Sequence, residues 1–481
     1  MTRTIQRAFR FTVTALAAAT LLAACGTTPP PPQATLSVPT AYQEAEAAQA
    51  RWKTAQPAEA QPRGEWWRAF GDAQLNALQQ QAEAGNPGLV AAAARVKAAR
   101  ALLGNAEAER SPQVNVQAGA TRQRIAAAQL GTGANNDTRF PPATIWQARV
   151  GASYEADLFG RVANGVKAAE SDAQAVEAAQ RSVQLALQAD VAQAYFTLRT
   201  LDAEVDLLTR TLASREQTLG LIQKRRNAGE VSDLDLSRAQ ADRAGTQAEL
   251  QGLQGQRQRA EHALAMLLGK TPADFKLAPQ PLTAEQAMPQ VPAGLPSALL
   301  ERRPDVAAAQ ARMMAANARL GQTRSALFPA LVLTAQGGQA SSELQDLFAL
   351  NARTWLVSAV FNLPIIDGGR NKAAIARAEA GLEESVADYR QSVLQAFGDV
   401  EGQLASLGSA RAQAQSVDEA LAAAQRAASL ADKRYRAGED SYLSLLDTQR
   451  SLLGTERQAM QLRGAWASQT VGLVRALGGG W

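Results

Sequence analysis

A turn that occurs twice, with long helical sequence on both sides of it, limits what this chain can fold into. Arg226-Asn227-Ala228-Gly229-Glu230-Val231-Ser232-Asp233 closes one Ala/Gln/Arg-rich stretch and opens another. Arg434-Tyr435-Arg436-Ala437-Gly438-Glu439-Asp440-Ser441 does the same 209 residues later. The stretch from Arg161 to Ala228 reads as one helix of 68 residues, which at 1.5 Å per residue is about 100 Å long. No globular core needs a helix of that length, so something must be spanned. Leu198, Leu201, Val205, Leu208, Leu212, Leu219 and Ile222 follow heptad spacing, broken only at Arg215. Leu250, Leu253, Ala260, Leu264 and Leu267 continue it on the return helix, with Arg257 interrupting.

The turns belong to a larger duplication. Pro87 matches Pro304, Leu103-Gly104 matches Leu320-Gly321 and Pro112 matches Pro329, all 217 residues apart. Gly160-Arg161 matches Gly369-Arg370 at the same 209-residue offset as the turns, so one insertion of 8 residues separates the halves. Each half reads as a helix opened by Pro, where a missing N–H costs nothing, then two strands, a long helix, the turn and a returning helix. The strands are expected at about 113–121, 144–157, 329–337 and 354–363 from period-two alternation. Their length suits tilted bilayer-spanning strands of roughly 9–11 residues, and Trp146, Tyr154, Trp355 and Phe361 lie near segment ends, where aromatic girdles sit. The same alternation also suits a half-buried sheet. Four strands cannot close a membrane barrel, which takes about eight or more, so spanning strands would need edges supplied by other copies.

The N-terminus reads as a targeting signal: Arg3, Arg7 and Arg10 precede an apolar run from Phe11 to Ala24 that is too short to span a bilayer. It ends at Leu22-Ala23-Ala24-Cys25, which resembles a bacterial lipobox with Cys25 as the lipidated residue. Gly26, rather than Asp, favours the outer membrane, and Pro29-Pro30-Pro31-Pro32 reads as an extended tether. The formal net charge is +4, and the signal carries three of those charges. With no basic patch interleaved with aromatics, nucleic acid is not an expected partner.

Leu295-Pro296-Ser297-Ala298-Leu299-Leu300-Glu301-Arg302-Arg303-Pro304-Asp305 resembles a signature of TolC-like outer-membrane efflux proteins. Trp66-Trp67-Arg68-Ala69-Phe70-Gly71-Asp72-Ala73-Gln74-Leu75 is similar to their opening motif, and Leu445-Leu446-Asp447-Thr448-Gln449-Arg450 fits as well. The lipobox places the resemblance in the lipoprotein branch that serves RND-type tripartite pumps. The resemblance implies a mainly α, α+β membrane protein. Its homotrimer would form a 12-stranded β-barrel, four strands per chain, continuous with a long periplasmic α-helical barrel. Implied partners are a periplasmic adaptor protein, an inner-membrane RND-type pump and outer-membrane lipid.

The expected divisions are a signal at 1–24, a lipid anchor, tether and equatorial segment at 25–86, and a first repeat at 87–269. A Pro-rich equatorial linker at 270–303, a second repeat at 304–477 and a tail at 478–481 complete them. The turns become periplasmic tips at 228–232 and 437–441. Ala228, Gly229, Glu230, Ser232, Ala437, Gly438, Glu439 and Ser441 would dock the adaptor. Tyr435, Leu443, Asp447 and Arg450 match a constriction of the family, with Asp447 and Arg450 able to pair at i,i+3. Gly229 and Gly438 suit left-handed helix ends, and Ser232 with Asp235 suits a capping box.

No catalytic set can be assembled from one His, His262, and one Cys, and a lone His is no metal site. Gly368-Gly369 reads as a bend between strand and helix. The chain is expected to be no enzyme and to need no cofactor beyond the lipid on Cys25. Its function is expected to be passive conduction of small molecules out of the cell. Type I protein secretion, or a periplasmic coiled-coil adaptor or scaffold, are the alternatives.

Overall fold

The computed structural model describes residues 29–30, 39, 42–43, 64–124, 141–282, 289, 291 and 302–479. Cys25, the signal and residues 295–301 of the Leu-Pro-Ser signature lie outside them. The described chain is mainly helical, with four strands. After a 3-10 turn at Trp66–Phe70 come α1 (Ala73–Gly85), α2 (Pro87–Ala108), β1 (Gln113–Gln123), β2 (Ala143–Ala156), α3 (Arg161–Asn227) and α4 (Asp233–Leu267). Then follow α5 (Pro304–Arg324), β3 (Ala330–Ser341), β4 (Arg353–Asn362), α6 (Arg370–Ala437) and α7 (Tyr442–Ala476). No described helix is long and apolar enough to cross a membrane.

Two compact units divide the described chain. One holds residues 96–176 and 309–389, and with them the sheet. Its strands pair antiparallel in the order β1-β2-β3-β4. The outer strands each leave one edge unpaired. β1 and β3 extend to Gln123 and Ser341, past the last alternating residues, because the backbone ladder continues: Gln123 pairs with Ala143, and Ser341 with Trp146. Gly338 is needed there, since a Cβ would come within 2.2 Å of the Ala148 carbonyl oxygen. Neither face of the outer strands is covered. Val114 and Val116 on β1 and Trp355 and Val357 on β4 are 68%, 76%, 81% and 72% exposed. An apolar strand set bare on this scale lacks a partner or solvent that the chain itself does not supply.

Carboxylates cap both long helices where they leave the sheet. Asp157 accepts from the Ala163 amide at 2.7 Å, and Asp367 accepts from Gly369 and Asn371, each at 2.9 Å. The amides of Asn371 and then Gly369 hold the Asp367 carboxyl below the usual carboxylate range.

The other unit holds residues 35–95, 177–308 and 390–481. Its main core gathers Trp66, Trp67, Phe70, Leu75 and Leu78 against Tyr195, Phe196, Leu198, Leu264 and Leu473. Trp66 meets Trp67 edge-on with centroids 5.8 Å apart, and Phe70 lies 5.0 Å from Phe196. Asp72 serves the core and the chain at once. It caps α1 through the Gln74 and Leu75 amides and accepts from the Tyr195 hydroxyl at 2.6 Å. Burial, then the bond to Asp72, pushes the Tyr195 phenol up to about 12.

Each first helix of a half is tied to the last turn of that half. Asn86 donates to the Leu267 carbonyl at 2.8 Å, and Arg303 donates to the Ala476 carbonyl at 3.2 Å. Glycine is required beside both ties. Gly269 (φ +70°) would put a Cβ 2.1 Å from the Gly85 oxygen, and Gly478 (φ +86°) would put one 2.8 Å from the Arg302 oxygen.

Candidate gate at the helical tips

Both tips end their arriving helices in the same way. Gly229 (φ +80°) donates to Arg226 at 3.0 Å while Glu230 donates to Arg225 at 2.9 Å. Gly438 (φ +76°) donates to Tyr435 at 3.1 Å while Glu439 donates to Arg434 at 2.9 Å. These paired bonds form a Schellman motif, which needs a left-handed residue at the turn. Ser232 caps α4 by accepting from the Asp235 amide at 3.2 Å, and its hydroxyl donates to the Asp235 carboxylate. Ser441 caps α7 through the Ser444 amide, also at 3.2 Å. Ala substitution at Gly438 forces a Cβ into the left-handed region, a cost of about 1–2 kcal/mol. The Gly438→Ala variant is expected to exchange its amide hydrogens faster at residues 434–441, measured by mass spectrometry, with the core around Tyr195 unaffected.

Behind the turns, all four helices share a small core: Ile222 from α3, Ala239 from α4, Ala431 and Tyr435 from α6, and Tyr442, Leu445 and Leu446 from α7. Tyr435 and Tyr442 sit 6.0 Å apart, and the Arg225 guanidinium lies 5.2 Å over the Tyr435 ring. Tyr435 is only 5% exposed, so it joins the two hairpins together and does not face solvent. Leu443 and Asp447 are exposed on α7.

The local Asp447–Arg450 pairing expected from i,i+3 spacing is not what forms. Arg450 turns across to α4, and both its Nε and Nη2 lie 3.1 Å from Asp242 Oδ1. Asp242 also takes Arg215 Nε from α3 at 2.9 Å. Asp242, buried and already fixed by Arg215, offers Arg450 a stronger partner than the solvated Asp447 on its own helix. Arg215 further donates to the Asp242 carbonyl at 3.2 Å and to the Thr246 hydroxyl. Burial, then the Asp242 charge, raises the Tyr442 phenol to about 12. Two helical turns along α7, Arg457 repeats the link, reaching Glu204 on α3 at 3.2 Å and Glu249 on α4. Arg215, Asp242, Gly245, Thr246, Arg450 and Arg457 line an open groove of about 310 Å³.

Four of these residues, Arg215, Asp242, Glu204 and Arg457, were not among the expected gate positions. One signal did point to them. Arg215 breaks an otherwise apolar heptad seam, and a buried Arg requires a partner. The groups so assembled can hold helices together by charge. Among the described residues there is no His/Cys/Asp/Glu cluster able to hold a metal.

The outer membrane efflux protein family matches residues 78–270 and 295–479. The pyoverdine export outer membrane protein OpmQ of Pseudomonas aeruginosa is 34% identical over 468 residues, covering 97% of this chain and 96% of OpmQ. The toluene efflux pump outer membrane protein TtgI of Pseudomonas putida is 36% identical over 458 residues, covering 92% and 95%. In structure, the outer-membrane channel OprN superposes with a TM-score of 0.84 at 29% identity, over 95% of this chain and 99% of OprN. Such proteins are outer-membrane efflux ducts and not enzymes. A family match across both halves, with relatives and a solved channel that align over nearly their whole length, establishes that this chain belongs to the outer membrane efflux protein family.

Proposed function

We propose that three copies of this chain form the exit duct of a tripartite efflux system. Their strands close a 12-stranded barrel in the outer membrane, and their long helices form a periplasmic tube. One observation carries this reading: a four-stranded sheet with both edges unpaired and apolar residues bare, leading into helices of 67 and 68 residues. An ancestral duplication accounts for the two halves. It is supported by the matched turns and by Asn86 and Arg303 donating to carbonyls at equivalent places. An inner-membrane RND-type pump and a periplasmic adaptor are the partners, the adaptor meeting the Ala-Gly-Glu tips. Acylation of Cys25 adds a lipid anchor. The cargo class is small molecules such as drugs or other toxic compounds, in line with the toluene and pyoverdine named for the relatives.

The tips gate the duct. Arg450–Asp242–Arg215 latches one hairpin of a chain to the other, and Leu443 and Asp447, exposed on α7, are the residues assigned to the closure. Light scattering of the detergent-solubilised protein is expected to report a trimer, and planar bilayers are expected to report ion conductance. Leu443→Ala and Asp447→Ala are expected to give larger or more frequent openings than wild type. A monomer without conductance would overturn the duct, and unchanged openings in both variants would move the gate elsewhere.

A further inference from the structure

The second heptad interruption, Arg257, leads to a separate charged cluster far along the hairpin from the latch. Asp202 on α3 has a side chain with no solvent exposure. It accepts from Arg199 Nη1 at 2.9 Å and from Arg257 Nε on α4 at 2.6 Å. Glu261, one turn beyond Arg257, accepts from Arg257 Nη1 at 3.2 Å. Two cations and two anions thus balance at the seam between α3 and α4.

What these groups hold is the start of the Pro-rich linker. Asp202 accepts from the Gln280 amide at 2.9 Å, and Glu261 accepts from the Leu277 amide at 2.6 Å. Arg257 donates to the Leu277 carbonyl at 2.7 Å, and Arg199 donates to the Ala278 carbonyl at 2.9 Å. The Arg199 carbonyl accepts from the Leu282 amide at 3.3 Å. Phe275, Leu277 and Leu282 are buried in the main core on either side. A segment that contains Pro279 and Pro281 cannot pair with itself, so charged side chains satisfy its backbone. Apolar residues at these seam positions would pack more simply. Charges there fix a register, as polar groups do in coiled-coil seams.

We propose that Arg199, Asp202, Arg257 and Glu261 form a clasp that straps residues 277–282 across α3 and α4. The strap sets the boundary of gate motion: the hairpin moves on the tip side of the clasp and stays fixed at it. This rests on the gating role proposed for the tips. The packing is graded in the same sense. Toward the tip the seam's buried cluster is Leu208, Leu250 and Leu253, with Leu201, Val205, Leu212 and Leu453 half-buried against it, then comes the small tip core; at the clasp the seam meets the larger main core.

Hydrogen exchange of the full-length protein in detergent, read beside single-channel conductance, tests it. Arg450→Ala is expected to speed exchange about fivefold at residues 215–242 and 431–450 and to leave 257–264 and 277–282 unchanged. Asp202→Asn alone is expected to speed exchange at least tenfold at the Leu277, Gln280 and Leu282 amides, with conductance as in wild type. The double variant is expected to carry fast exchange into 257–264 and to conduct more than Arg450→Ala alone. Should Asp202→Asn prevent assembly, Glu261→Gln loosens Leu277 and leaves Asp202 in place. A double variant whose exchange merely combines the two separate regions overturns the boundary. So does Arg450→Ala speeding exchange through 277–282 by itself. Unchanged conductance in Arg450→Ala defeats the gate instead, and slow exchange at 277–282 in Asp202→Asn then defeats the clasp independently.

Discussion

Asp242→Ala is expected to raise the open-to-closed ratio of the channel by roughly 30- to 150-fold, as about 2–3 kcal/mol of closing free energy is lost. Asp242 has a side chain 5% exposed and lies between Arg215, 10% exposed, and Arg450, 55% exposed. Removing one member of a buried ionic group costs about 3–5 kcal/mol, because the remaining charge is stranded without its partner. The cost here falls at or just below the bottom of that range for two reasons. Arg450 is more than half exposed and regains water, and Arg215 keeps the residue-242 carbonyl and the Thr246 hydroxyl. Arg450→Ala removes only the exposed arm and is expected to give the smaller effect, about 1 kcal/mol. Single-channel recording in about 1 M salt separates the latch from surface charge. The Debye length there is about 3 Å, so exposed charges such as Asp447 are screened while the buried pair persists. Intact Asp242→Ala trimers with the open probability of wild type would remove this carboxylate from the gate.

The latch shows what sequence patterns carry and what they omit. Heptad spacing locates α3 and α4, because burial along a helix has a period that a single chain displays. The same spacing marks Arg215 and Arg257 as exceptions without naming their partners. Asp242 and Asp202 look like ordinary polar positions until two helices are laid side by side. Local rules can mislead in the same place: Asp447 and Arg450 have ideal spacing, yet Arg450 lies 208 positions from the carboxylate it binds. Tyr435 illustrates the converse. The family resemblance sets it in a constriction, and within one chain it is also a buried link between hairpins, packed by Arg225 and Ile222 of α3 and Tyr442 of α7, contacts that no local spacing displays. Turn chemistry was the most legible feature. Gly229, Gly438, Ser232 and Ser441 act through bonds to residues within five positions, so the sequence window contains the whole motif. Strand ends were less legible, since ladder pairing with a neighbour carries β3 through Gly337 and Gly338, which have no side chain to alternate.

Arg303 gives the second large effect, and it carries a pH signature. Its guanidinium is 10% exposed and forks onto Asp305, with Nε to Oδ1 at 3.0 Å and Nη2 to Oδ2 at 2.6 Å. Nη1 reaches Asp399 at 2.8 Å and the Ala476 carbonyl at 3.2 Å. Burial opposes the charge, but Asp305 and then Asp399 outweigh it, so the group sits above its ordinary range. Burial likewise raises the Asp305 carboxyl, and the Arg303 bonds and charge bring it below its ordinary value. Ala at 303 is expected to lower stability by about 2–3 kcal/mol, since Asp305 and Asp399, 42% and 34% exposed, recover part of their hydration. Arg303→Lys cannot form the fork and is expected to fall between. A carboxyl lowered in the folded state stabilises above its unfolded value and loses that contribution as pH falls through the folded one. The difference in urea midpoint between wild type and Arg303→Ala is therefore expected to be constant from about pH 5 to 8 and to shrink below about pH 4. A difference that stays constant down to about pH 2 would show that the tie to Ala476 alone, and not the Asp305 pair, secures the start of α5 to the end of α7.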